Sequence, residues 1–173
     1  MGYITPGTVA AGDVATAAAW NVLTNDVISV HDSIKRLGFS TRTSDYNTSA
    51  TTLAAAADIF SSSITFTADG TSSYRIELYS PVVAPGINSV LLIHLTNGSS
   101  TSLGIISYNR SGAAINYMTT HGVYYYTPSA GSITINARGL SDTGTGCTFG
   151  AGSGAANSPT PSFLAVFGPP TTI

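Results

Sequence analysis

The stretch Ile64-Thr65-Phe66-Thr67-Ala68-Asp69-Gly70-Thr71, followed by Tyr74-Arg75-Ile76-Glu77-Leu78, decides the fold. Ile64 and Phe66 alternate with Thr65 and Thr67, and Tyr74, Ile76 and Leu78 alternate with Arg75 and Glu77. Side chains on a strand point to opposite faces in turn, so a period of two marks strands with one face buried and one wet. Asp69-Gly70 supplies a reversal between them, because residues tolerant of positive φ turn the chain.

Working outward, the same period returns at Ile133, Ile135 and Ala137. Further strand-like runs are Val90 to Leu95, Leu103 to Tyr108, Ala114 to Met118, Val123 to Tyr126, Gly146 to Phe149 and Ser162 to Phe167. Asn97-Gly98 and Ser111-Gly112 fall between runs as Asp69-Gly70 does, which implies short antiparallel connections. Eight or nine short strands with no helical period among them predict a mainly β head over residues 60 to 173, an antiparallel sandwich or barrel with the jelly roll favoured. Gly150 to Pro161, rich in Gly, Ala, Ser and Pro, is a loop before the last strand.

Toward the N-terminus the period changes. Trp20, Leu23, Val27, Val30, Ile34 and Leu37 follow at alternating spacings of three and four, the seam of a heptad repeat. Thr16 is placed to cap the helix, Lys35 and Arg36 suit its last turn, and Gly38 stands where a terminating glycine belongs. The spacing predicts a helical stalk over residues 16 to 38. Its apolar stripe is narrow, so it needs a partner along its length, either other copies or the head itself. Residues 39 to 59 read as a linker and entry to the head. Residues 1 to 15 carry no periodic apolar face and an early Pro6, so Gly2, Tyr3, Ile4, Thr5, Pro6 and Val9 are expected to form an extended docking arm held by a neighbouring protein.

Composition excludes several classes. Of 173 residues only 8% are charged and the formal charge is −2. Without a cluster of Lys and Arg there is nothing to neutralise phosphates, so nucleic acid is not an expected partner. The first residues lack a basic leader followed by an apolar run, and no run is long enough for a membrane span, so synthesis in the cytoplasm without a cleaved signal and no membrane insertion are expected. The single Cys147 cannot form an internal disulfide and reads as a small buried residue.

Chemistry-bearing groups are sparse. His31, His94 and His121 make no i, i+4 pair, and a zinc site is not expected. His94 reads as a strand residue and His121 as part of a turn before Gly122. In the head, Asp69 reads as a turn residue and Glu77 as a cross-strand partner for arginine, leaving no supported carboxylate pair for hydrolysis. Asp142-Thr143-Gly144 is a single Asp-Thr-Gly, where the aspartic-protease mechanism needs two. Gly144, Gly146, Gly150 and Gly152 precede no helix that could cap a phosphate. No catalytic residue, metal or cofactor is expected. Two stretches point instead to contacts. Val90-Leu91-Leu92-Ile93 is apolar on both faces, as in a central strand or one pressed against another subunit. Tyr124-Tyr125-Tyr126 places aromatics on both faces, and with Tyr108 it supplies candidate contact residues.

Thr16-Ala17-Ala18-Ala19-Trp20-Asn21, the run Phe66 to Thr71, Tyr74-Arg75-Ile76-Glu77, Thr127-Pro128-Ser129-Ala130-Gly131 and Gly144-Thr145-Gly146 together resemble small tail-fibre, minor tail and other virion proteins of bacteriophages. Those proteins carry jelly-roll heads similar in shape to tumour-necrosis-factor and complement heads. The resemblance implies a homotrimer fed by a helix from each subunit and displayed on a phage particle. Other virion proteins, through the arm, and a host surface glycan are the implied partners. It supplies no active-site residues. A tail-associated fibre or minor tail protein is the first expectation, and a capsid decoration or spike protein the alternative.

Overall fold

The computed structural model describes residues 35–98, 100–150 and 161–169. Trp20, Leu23, Val27, Val30 and Ile34 of the stalk seam, the arm residues from Gly2 to Val9, and the segment 151–160 lie outside the described residues.

Ten strands are present among the described residues: β1 (Arg36–Arg42), β2 (Tyr46–Thr48), β3 (Ile64–Ala68), β4 (Tyr74–Ala84), β5 (Val90–Thr96), β6 (Ser102–Arg110), β7 (Met118–Tyr126), β8 (Gly131–Ser141), β9 (Cys147–Gly150) and β10 (Ser162–Phe167). All pair antiparallel. They form two sheets. One has six strands in the order β1-β10-β4-β9-β2, with β7 on the other side of β4; the second runs β3-β8-β5-β6.

Both sheets turn alternate residues into one core. Ile76, Leu78, Leu164 and Val166 from the six-stranded sheet meet Ile93, Leu95, Ile135 and Ala137 from the other, all fully buried. The chain is therefore a mainly β sandwich, with burial of each large apolar side chain worth roughly 1.5–3 kcal/mol. Buried side-chain nitrogens and oxygens all have hydrogen-bond partners among the described residues. Asn136, for example, donates to the Phe60 carbonyl and accepts from the Ala137 amide.

Several expectations are corrected. Strand pairing begins at Arg36, so Leu37, the last seam position, and Gly38 belong to β1 rather than to a helix, and the 39 to 59 linker holds the rest of β1 and all of β2. Ala114 to Met118 is a loop up to Met118, where β7 starts. His121 sits within β7, not in a turn. Asp69-Gly70 does reverse the chain, with Gly70 at φ 85°. The strands it joins, however, lie in different sheets, so this link arches across the sandwich instead of closing a hairpin. Asn97-Gly98 closes a true hairpin between β5 and β6.

The head has two distinct poles. The Gly168 amide donates to the Lys35 carbonyl at 2.9 Å, which brings both ends of the described sandwich together. At the other end of β10, the Ser162 hydroxyl donates to the Gly150 carbonyl at 2.6 Å, fixing both ends of the 151–160 connection there. The β10 strand between them spans roughly 17 Å at about 3.3 Å per residue.

Candidate functional site

The polar cluster at the pole away from Lys35 is built from backbone clamps. Asp142 accepts from the Val90 amide at 2.7 Å and the Ser89 hydroxyl at 2.8 Å, tying the end of β8 to the start of β5. These donors stabilise the carboxylate and hold its pKa below the usual value. Thr143 donates to Ser89, Ser111 donates to the Gly86 carbonyl, and buried Cys147 accepts from the Gly86 amide at 3.3 Å. The Asp-Thr-Gly run is thus a strand-end brace, with no histidine among these partners. A shallow depression of about 420 Å³ lined by Asn47, Thr48, Ser49, Gly146, Cys147 and Thr148 lies beside it.

The remaining titratable groups are dispersed. Asp69 accepts from the Thr71 amide at 2.8 Å and the Ser72 amide at 2.7 Å, and the Ser72 hydroxyl donates to its other oxygen. Those bonds, led by the Ser72 hydroxyl, lower its pKa to about 2. Glu77 pairs with Arg75 at 3.4 Å, and Arg138 pairs with Asp58 at 2.7 Å. The His94 ring shares a hydrogen bond with Ser102 at 2.9 Å, and partial burial pushes its pKa down. Among the described residues no group of three or more His, Cys, Asp and Glu side chains could hold a metal.

The contact tyrosines do not form one patch. Tyr124 and Tyr126 turn inward onto the core, and the Tyr124 hydroxyl donates to the Leu103 carbonyl at 2.5 Å. Tyr125, between them, faces out from the six-stranded sheet. Tyr108 pairs with Leu92 on the outer face of the other sheet. The strand Val90 to Ile93 is central in its sheet, between β6 and β8: Leu91 and Ile93 enter the core and half-buried Leu92 faces out.

The most unusual surface was missed by sequence reasoning. Cross-strand register aligns Phe163, Tyr79 and His121 in one row on the outside of the six-stranded sheet, Ala165, Glu77 and Val123 in the next, and Arg36, Phe167, Arg75 and Tyr125 in the third. Phe39 stands beside them. Its ring is 5.6 Å from that of Phe163, which stacks on Tyr79 at 5.4 Å. The Arg36 guanidinium lies 4.5 Å over Phe39 and that of Arg75 4.4 Å over Phe167. Phe39, Val123 and Tyr125 are exposed. The outer positions of β3 and β8 instead carry threonines such as Thr65 and Thr134, which hydrogen-bond to each other at 3.0 Å. The signal that could have found this face is Phe163 and Phe167, which flank a strand whose alternate residues are also apolar.

No protein-family model matches the chain, and no curated protein matches it. Among solved structures it is similar to an N-terminal endo-1,4-β-D-xylanase 10B of Clostridium thermocellum, CBM22-1 and GH10 modules with xylohexaose, at 11% identity and TM-score 0.32 over 82% of this chain and 28% of that one. It is also similar to infectious bursal disease virus, Gx strain, at 14% identity and TM-score 0.30, covering 78% of this chain and 37% of that one. The VP2 subviral particle of the same virus gives 11% identity and TM-score 0.25, with 78% and 38% covered. The chain spans well under half the length of each.

Proposed function

We propose that the chain is a non-enzymatic structural protein of a bacteriophage virion, a tail-associated fibre or minor tail protein whose β head self-associates, as a homotrimer, and is displayed at the particle surface. The observation that carries this reading is the polarity of the head. The Gly168 amide meets the Lys35 carbonyl at one pole, where the chain enters the described head, while Gly150 and Ser162 meet at the opposite pole. A display head on a stalk needs that separation of attachment from exposed loops. The order β1-β10-β4-β7 facing β3-β8-β5-β6 supports a jelly-roll head, because the chain crosses repeatedly between the two layers, as at β3 to β4, β4 to β5, β6 to β7 and β7 to β8. Asp69 is engaged in a turn, Asp142 in a strand-end brace, and Glu77 and Asp58 in ion pairs with Arg75 and Arg138, which supports a role without turnover.

Immunogold labelling of purified particles tests the reading. Label at the tail, with the protein present in the particle by mass spectrometry, is the expected result. Absence of the chain from purified particles overturns the virion assignment, and label spread over the capsid shell replaces the tail assignment with decoration.

A further inference from the structure

We infer that Asn97 is a self-modifying site: in the folded head the Gly98 amide nitrogen attacks the Asn97 side-chain amide, and the asparagine becomes aspartate or isoaspartate. Asn97-Gly98 is the only Asn-Gly pair in the chain. The backbone nitrogen after an asparagine must come within bonding distance of its Cγ. Glycine permits this, because no Cβ obstructs the approach and the backbone around it turns freely.

The hairpin between β5 and β6 leaves room for that movement. Asn97 and Gly98 are both exposed, in the five-residue connection between Thr96 and Ser102. Gly98 stands at φ 78°, whereas Asn88 is the one non-glycine residue at positive φ among the described residues. A tight two-residue Asn-Gly turn needs both residues at positive φ, so this connection is not locked in that form. Its closing bond, from the Asn97 amide to the Thr101 carbonyl, is long at 3.4 Å, and the β5–β6 register shifts beside it, between Leu95 and Thr96.

Other asparagines are held back. Asn136 is buried, accepts from the Ala137 amide at 2.8 Å and donates to the Phe60 carbonyl at 3.3 Å. Asn109 is buried and donates to the Ser107 hydroxyl at 2.6 Å. Asn47 accepts from the Thr148 hydroxyl at 2.7 Å and is followed by β-branched Thr48. Asn88 is exposed, but the Ser89 amide that would attack it is tied to the Gly86 carbonyl at 3.0 Å. Asn116 is exposed and followed by the bulky Tyr117.

The step balances with water as the only co-reactant. The Gly98 nitrogen gives up its proton and bonds to the Asn97 Cγ, the Cγ–Nδ2 bond breaks, and ammonia leaves with the proton returned to it. The cyclic imide that remains is opened by water, at Cγ to give aspartate or at the main-chain carbonyl to give isoaspartate. Either product makes the head one unit more negative than the formal −2. Isoaspartate also adds a methylene to the main chain ahead of Ser100, whose hydroxyl Arg138 holds at 3.0 Å.

The full chain, kept under native conditions near neutral pH, is followed by isoelectric focusing and by peptide mapping that separates aspartate from isoaspartate. A band one charge more acidic should accumulate. Asn97 should convert about tenfold or more faster than Asn47, Asn88 or Asn116, a barrier difference of about 1.4 kcal/mol. Asn97→Gln, an exposed position given one more methylene, should stay folded and lose the acidic band. No acidic band in the wild type, a band retained in Asn97→Gln, conversion spread evenly over the four asparagines, or conversion seen only after denaturant is added would each overturn the proposal.

Discussion

Gly38 crosses Ile64 so closely that a Cβ at residue 38 would strike the Ile64 Cγ2 methyl. That contact joins β1 of one sheet to β3 of the other and seals the sandwich beside the first described strand. Because Ile64 is buried and β-branched, it has little freedom to move aside. Gly38→Ala is therefore expected to overpack the site and cost about 1–3 kcal/mol. A denaturant titration reads this as a lower midpoint with an unaltered slope, and an unchanged midpoint would contradict the packing.

The same glycine shows what the sequence could and could not reveal. Gly38 fits the end of a helix as well as it fits a tight sheet crossing, since both need a residue without a Cβ. Where one strand face is in water, as at Ile64-Thr65-Phe66-Thr67, alternation was legible and β3 follows it. It was not legible in β1, where a register shift between Arg36 and Gly38 breaks the period, or in β2, which has three residues. Ala114 to Met118 has apolar residues but no sheet partner before Met118. Period two says which face a residue takes and not which strand lies beside it. The aromatic face was hidden for that reason, since Phe39, Tyr79, Phe163 and Tyr125 come from four strands distant in sequence.

Asp69 ties the β3–β4 arch through the amides of Thr71 and Ser72. Its folded pKa of about 2 lies below the ordinary carboxylate value, so the unfolded chain binds the extra proton first as pH falls. The contribution is present above the unfolded pKa and is lost as pH drops toward about 2. Asp69→Ala should melt lower than the wild type at neutral pH, with the gap closing below pH 3 to 4, near the model-peptide value. A gap that stays constant across that range would show that the arch does not depend on the carboxylate.

The proposed stalk is tested by Val27→Asp with Ile34→Asp, which places charges at two heptad positions, since burying a large apolar side chain is worth roughly 1.5–3 kcal/mol. Association should weaken while the β signal in circular dichroism is retained. Unchanged assembly and melting would mean that the seam has no partner.

Catalysis is expected to be absent whichever titratable group is removed. His94→Ala, His121→Ala and Glu77→Ala should each alter stability at most. Measured turnover of a glycan or peptide by the wild type, lost in one of these variants, would contradict the non-enzymatic reading.

The last prediction separates attachment from display. Lys35 and Gly168 mark one pole of the head and Gly150 and Ser162 the other, so docking through the proposed N-terminal arm is expected on the side where the chain enters the head. Holding an arm of about fourteen residues costs about 1–2 kcal/mol per residue in backbone entropy, which a neighbouring protein must offset. Deleting residues 2 to 15 should leave a folded, self-associated head that no longer joins particles, whereas shortening the segment from Gly150 to Asn157 should leave incorporation unchanged. Normal copy number after the arm deletion would make the head itself the anchoring surface and reverse the orientation. The number of copies lost also reports position, because a tail site holds a handful and a capsid shell holds many more.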